Sequence, residues 1–156
     1  MDVLRVLDNQ IAARCAATTA QVEDWPCRSG CDHCCRHLAR EPLLTLEEWL
    51  RLQPRLTAEI RERNAQLQGP PFVCPFLHQH NGACGVYEQR PIACRTYGFY
   101  VERDQGLYCH QIRERVESGE FAQVTWGNQT AIDRRLDELG GRRTLSHWIA
   151  TTIDKR

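Results

Sequence analysis

Nine cysteines in 156 residues constrain what this chain can fold into more than any other feature. Four form a block, Cys27, Cys31, Cys34 and Cys35, with the spacing C-x3-C-x2-C-C. Four more, Cys74, Cys84, Cys94 and Cys109, follow singly, and Cys15 stands apart. Thiols this dense in a short chain are usually held by disulfides or by metal rather than by packing alone. Any fold the chain adopts must therefore bring sulfur atoms together.

Metal is the expected answer. Residues 1–20 carry Asp2, Arg5, Asp8 and Arg14, so they lack the basic start and unbroken apolar run of a secretory signal. No stretch approaches the ~20 apolar residues of a membrane span. The cysteine count is odd, and adjacent Cys34 and Cys35 suit each other poorly as disulfide partners. These observations point to a cytoplasmic, reducing address, where clustered thiols bind metal more often than they pair. Basic and acidic residues balance at 20 each. No net field therefore draws nucleic acid or an anionic membrane surface. All but one of the basic residues are arginine, which codon usage explains as well as anion recognition does. The partner this leaves is a metal ion, and nothing in the sequence names a protein partner.

The chain reads as a single domain over 1–156, with an N-terminal helix in 1–24, a cysteine-bearing core in 25–118 and C-terminal helices in 119–156. Val3, Leu4, Leu7, Ile11 and Cys15 recur at helical steps, which predicts an amphipathic helix over 3–20 with an inert, buried Cys15. Thr45 and Glu48 form a capping box. Pro54 divides that helix from one carrying Leu56, Ile60 and Leu67 inward, and Gly69-Pro70-Pro71 ends it. Asn81-Gly82 marks a tight turn, and Pro91 suits the first turn of a short helix. His110–Glu117 reads as helical. Asn128 or Thr130 caps a helix stopped by Gly140-Gly141. Thr144 or Ser146 opens a last helix containing Leu145, Trp148, Ile149 and Ile153. The expected class is mainly α: a small irregular helical domain around a cysteine-ligated metal centre, with at most a short β-hairpin.

Were 27–35 helical, Cys27, Cys31 and Cys34 would share one face and Cys35 would point off it. Gly30 makes a loop equally plausible, with backbone N–H groups turned towards sulfur. Two adjacent side chains rarely reach one small ion, so Cys34 and Cys35 are expected at different centres or at different corners of one cluster. Eight thiolates fill two four-coordinate sites, or one cluster and one mononuclear site. The scattered second block leans towards iron over zinc, although thiolate softness does not separate the two. C-x3-C-x2-C also occurs in radical enzymes that use S-adenosylmethionine. Those enzymes need an alternation of strands and helices that this chain lacks.

The eight cysteines sit within further strings: Cys74-Pro75-Phe76-Leu77, Gly82-x-Cys84, and Val86-Tyr87-Glu88-x-Arg90-Pro91-x-x-Cys94-Arg95, closing with Cys109. Together these resemble the bacterial cysteine-cluster family of zinc- or iron-chelating domains (YkgJ-like, CxxCxxCC) over residues 27 to about 113. The resemblance implies Cys27, Cys31, Cys34, Cys35, Cys74, Cys84, Cys94 and Cys109 as metal ligands and leaves Cys15 out. It implies zinc or iron as cofactor, an iron–sulfur cluster included. One departure weakens the role of Cys27: the family usually has two residues between its first two cysteines, and here there are three. A related domain in flagellin lysine methylases keeps an enzymatic role open.

Other residues carry two readings. Arg90 and Arg95 either offset cluster charge or pair with Glu88 or Glu102. Tyr87 and Tyr97 read as core packing more readily than as metal shields. His78 and His80 beside the turn read as a solvated loop. His33, His37 and especially His110 are the substitute ligands to check. No Ser-His-Asp set, phosphate loop or paired-carboxylate signal is visible. The expected function is metal binding with a structural and redox role. The rivals are an iron–sulfur enzyme or enzyme accessory, and a metal carrier.

Overall fold

Leu4, Leu7 and Ile11, spaced for one helical face, wind with their neighbours into α1 (Val3–Gln21), started by the Asp2 side chain accepting from the Arg5 N–H. In this computed structural model, which describes residues 2–153, the chain continues through α2 (His33–Arg36), β1 (Leu43–Leu44), α3 (Leu46–Leu52), α4 (Ala58–Ala65) and α5 (Ile92–Thr96). β2 (Tyr100–Glu102), β3 (Gln105–Leu107), α6 (His110–Glu117), β4 (Gly127–Asn128), α7 (Gln129–Asp137), β5 (Arg143–Thr144) and α8 (Leu145–Thr151) follow. Helix dominates. Among the described residues no helix is long and apolar enough to cross a membrane.

The chain divides into two compact units, one of residues 1–28 and 92–140, the other of 29–91 and 141–156. In the first, α1 turns Leu4, Leu7 and Ile11 into a core with Ile92, Phe99, Ile112, Ile132 and Leu136. Trp25 sits against Phe99, Phe121 and Trp126 at ring separations of 5.6, 4.7 and 5.8 Å. β2 pairs antiparallel with β3 and parallel with β4, making a three-stranded sheet. Asn128 caps α7 through the Ala131 N–H.

In the second unit the Thr45–Glu48 capping box is closed in both directions. Glu48 N–H donates to Thr45 Oγ1 at 3.2 Å, and Thr45 N–H donates to Glu48 Oε2 at 2.9 Å. Both residues are buried, and these bonds are what make a buried carboxylate tolerable there. Pro54 falls in a 3₁₀ turn, Gln53–Arg55, that separates α3 from α4. Trp49 and Trp148 stack across the core formed by Leu44, Leu52, Ile60, Phe76 and Ile149. β1 pairs with β5, and Trp148 Nε1 donates to Leu44 O at 3.1 Å.

Several expectations need correction. Strand extends beyond one hairpin: β1, β4 and β5 have two residues each and are too short to show period-two patterning. α4 runs only from Ala58 to Ala65, leaving both Leu56 and Leu67 outside it, because Leu56 is extended after the Gln53–Arg55 turn and Thr57 caps the helix. Ile153 lies beyond α8 and is 86% exposed, since Thr152 already closes the helix through its N–H to Trp148 O.

Candidate metal centre

Backbone pairing in the second unit gathers its thiols. Leu38 and Phe72 exchange two backbone hydrogen bonds, at 2.9 and 2.8 Å, and Cys74 N–H donates to Cys35 O at 2.8 Å. Residues 72–74 therefore run antiparallel beside the end of α2, and Cys74 lies next to the Cys34-Cys35 pair. The chain then turns back at Asn81-Gly82. His78 N–H donates to Ala83 O and Gly85 N–H to Phe76 O, both at 2.9 Å, which returns Cys84 to the vicinity of Cys74. Gly82 is required at this turn, because its φ is +69° and a Cβ would come 2.6 Å from Asp32 Oδ2. Asp32 in turn accepts from Arg36 Nε at 2.5 Å, and Arg36 Nη2 donates to Gln79 O at 3.3 Å, tying α2 to this loop.

The thiols share one electrostatic environment. Cys34 is lowered to about 7, chiefly because the Cys35 thiol donates to its sulfur; burial opposes this, while backbone N–H groups and the Arg90 charge assist. Cys74 is pushed up to about 11 by burial, with the Cys84 and Cys34 thiols adding to the rise and the amides of Phe76 and Leu77 countering it. Burial also raises Cys84, against the Val86 amide and Arg90. Arg90 is fixed in place: its guanidinium lies 3.9 Å from the Tyr87 ring centroid, and its Nε donates to Tyr87 O at 2.9 Å. Cys31, in the same unit, is exposed.

The first unit holds Cys15, Cys27, Cys94 and Cys109. Cys15 and Cys27 pack against the hydrophobic core, and Cys109 belongs to it. Cys109 is also the residue at the N-terminus of α6. The Cys27 sulfur lies so close to Gly98 that a Cβ there would overlap it. Cys15 is half-buried rather than buried, and its sulfur contacts Arg95 O at 3.8 Å. Arg95 pairs with Asp8, not with Glu88 or Glu102, because α1 and α5 lie side by side. His33 and His37 stack on each other at 4.8 Å, while His78, His80 and His110 are exposed.

The sequence reading missed the amides of Phe76, Leu77 and Val86. Their signal lay in the turn residues after Cys74 and Cys84, where a reversing chain presents N–H groups to the preceding side chain. In the four-residue helix between loops the Cys34 and Cys35 sulfurs come within hydrogen-bonding reach of each other.

Among the described residues no group of three or more His, Cys, Asp or Glu side chains is drawn together closely enough to hold an ion. The donor chemistry nevertheless fits a thiophilic metal. Four thiols of one unit feel one another, and backbone amides address three of their sulfurs, the outer hydrogen bonding that metal thiolates use. Such an arrangement defines a cysteine-rich, metal-chelating class of domain. The chain belongs to the CxxCxxCC family, described as "Putative zinc- or iron-chelating domain", whose sequence profile matches residues 26–129. No curated protein and no solved structure matched the chain.

Proposed function

We propose that this protein chelates zinc or iron through its clustered cysteines, with Cys34, Cys35, Cys74 and Cys84 forming the principal site. The observation carrying this reading is the shared field of those thiols, supplied with amide donors and faced by Arg90. Bound there, a metal ion would cross-link α2 to the two turns around Cys74 and Cys84 and contribute folding free energy. Arg90 would offset part of the negative charge of the thiolates. Cys27, Cys31, Cys94 and Cys109 complete the ligand set on the strength of the family resemblance, since the matched region contains all eight and excludes Cys15. A reducing cytoplasm suits such a centre.

Elemental analysis of protein purified anaerobically without added metal tests this. About one or more equivalents of zinc in colourless protein, or of iron in brown protein absorbing broadly near 400 nm, is the expected result. A folded protein with neither metal would refute the proposal.

A further inference from the structure

His33 and His37 stand at the two ends of α2, on either side of the Cys34-Cys35 pair, and the thiol site does not use them. Their rings stack with centroids 4.8 Å apart and planes 25° from parallel. His37 Nδ1 lies 3.0 Å from His33 O. A carbonyl oxygen only accepts, so Nδ1 carries the proton and donates, and in the neutral ring Nε2 holds the lone pair. That tautomer, fixed by an outer hydrogen bond to a backbone carbonyl, is the one in which histidine ligates metals. His37 is exposed, so an ion in solvent reaches its ring, and His33 beside it is half-buried.

From this we infer that His33 and His37 together bind a borderline divalent cation, zinc in the first instance, at a surface site separate from the thiol centre. His37 Nε2 holds the ion at about 2.0–2.1 Å, and turning the His33 ring about χ2, a soft rotation, brings one of its nitrogens to the same ion. No backbone movement is needed. Asp32, the nearest carboxylate in sequence, is committed to Arg36 Nε at 2.5 Å. Among the described residues no third His, Cys, Asp or Glu side chain joins the pair, so water completes the coordination. Imidazole ligands suit zinc, nickel and copper and pass over magnesium and calcium, which take oxygen. With two protein ligands the site is weaker than a closed four-coordinate one, and its ion exchanges. The site forms whether or not the thiols hold metal.

The test adds zinc to the full-length protein as purified and follows the histidine rings by long-range ¹H–¹⁵N correlation NMR. Before addition, His37 should show the Nδ1–H tautomer. Zinc should then shift His37 Nε2 and the His33 ring together and saturably, while His78, His80, His110 and His147 serve as internal controls and magnesium as the hard-cation control. A free-thiol count on each sample reports uptake at cysteine separately, so failure of the thiol centre and failure of this site read out differently. His33→Ala should weaken zinc binding at His37 by at least about tenfold. If that variant is misfolded, His37→Gln decides, because His37 is exposed at the end of α2: zinc at His33 should weaken by the same factor. An equal shift at all six histidines, an equal response to magnesium, the Nε2–H tautomer at His37, no shift at all, or unchanged affinity in a folded variant would overturn the proposal.

Discussion

In the second unit the sulfurs of Cys34, Cys74 and Cys84 meet backbone amides, and Cys34 and Cys84 feel the field of Arg90, whereas in the first Cys15 and Cys27 lie against an apolar core and Cys109 is part of it. One residue type thus serves two physical ends. Amides help Cys34 lose its proton and counter the burial that raises Cys74 and Cys84, while a thiol among Leu, Ile and Phe packs as a small hydrophobe. The difference comes from backbone, not from cysteine spacing. Tight turns after Cys74 and Cys84 aim amides at sulfur, while α1 and the segments around Gly98 and Ile112 offer side chains.

The largest effect should follow from removing a thiol of the second unit. Cys34→Ser should yield metal-poor, protease-sensitive protein, destabilised by on the order of 4 kcal/mol or more, because an under-coordinated ion no longer supports the fold. Cys27→Ser should keep part of its metal. Metal-to-protein ratios and urea midpoints of the two variants make the comparison. Equal metal loss would erase the distinction between the units, and full retention by Cys34→Ser would remove the metal-stapled reading altogether.

Gly98→Ala probes the packed set from the other side. Its φ of +94° disfavours any side chain, and a new Cβ would displace the Cys27 sulfur. Together these should cost about 2–3 kcal/mol and lower the metal content no more than Cys27→Ser does. Adding Cys27→Ala should recover part of that loss by clearing the overlap, while the backbone strain stays. If the double variant is no better than Gly98→Ala alone, Cys27 is not packed as described.

Helix was legible in this sequence wherever caps and apolar steps agreed: α1, the Thr45 capping box, the break at Pro54, Asn128 at the start of α7 and Thr144 at the start of α8. These are local signals, and local physics suffices to read them. The family was legible because the Tyr87-Glu88-x-Arg90-Pro91-x-x-Cys94 string is long and specific. What escaped was non-local. The pairing of 72–74 with α2 and the parallel approach of β4 to β2 join residues tens of positions apart through backbone groups that every sequence carries. For the same reason nothing in the cysteine spacing revealed which sulfurs would face amides and which would pack against the apolar core.

Metal-free protein should show the comparison in its pH response. Cys34 is depressed from 9.0 to about 7, so its contribution to stability is present above pH 9 and is lost as pH falls through 7. Cys74 is raised from 9.0 to about 11, so its contribution is present below pH 9 and is lost as pH rises through 11. The share of stability carried by this pair should therefore peak near pH 9. Alkylation rates read by mass spectrometry should place half-maximal reactivity of Cys34 about four pH units below that of Cys74. Coincident profiles would mean that the amide and burial environments of the two sulfurs do not differ.

The smallest effect belongs to Cys15. It lies on the inner side of α1, outside the matched region, and its thiol makes a long contact to Arg95 O. Deleting one half-buried sulfur removes a few dispersion contacts and leaves Asp8 to hold Arg95 and α5 against the helix. Cys15→Ala should therefore cost at most about 1 kcal/mol in urea unfolding and leave the metal-to-protein ratio unchanged. A fall in bound metal would move Cys15 into the ligand set. Cys15 would then stand beside Cys27, Cys94 and Cys109 as a ligand of the first unit, and its packing against the core could not be taken as its role.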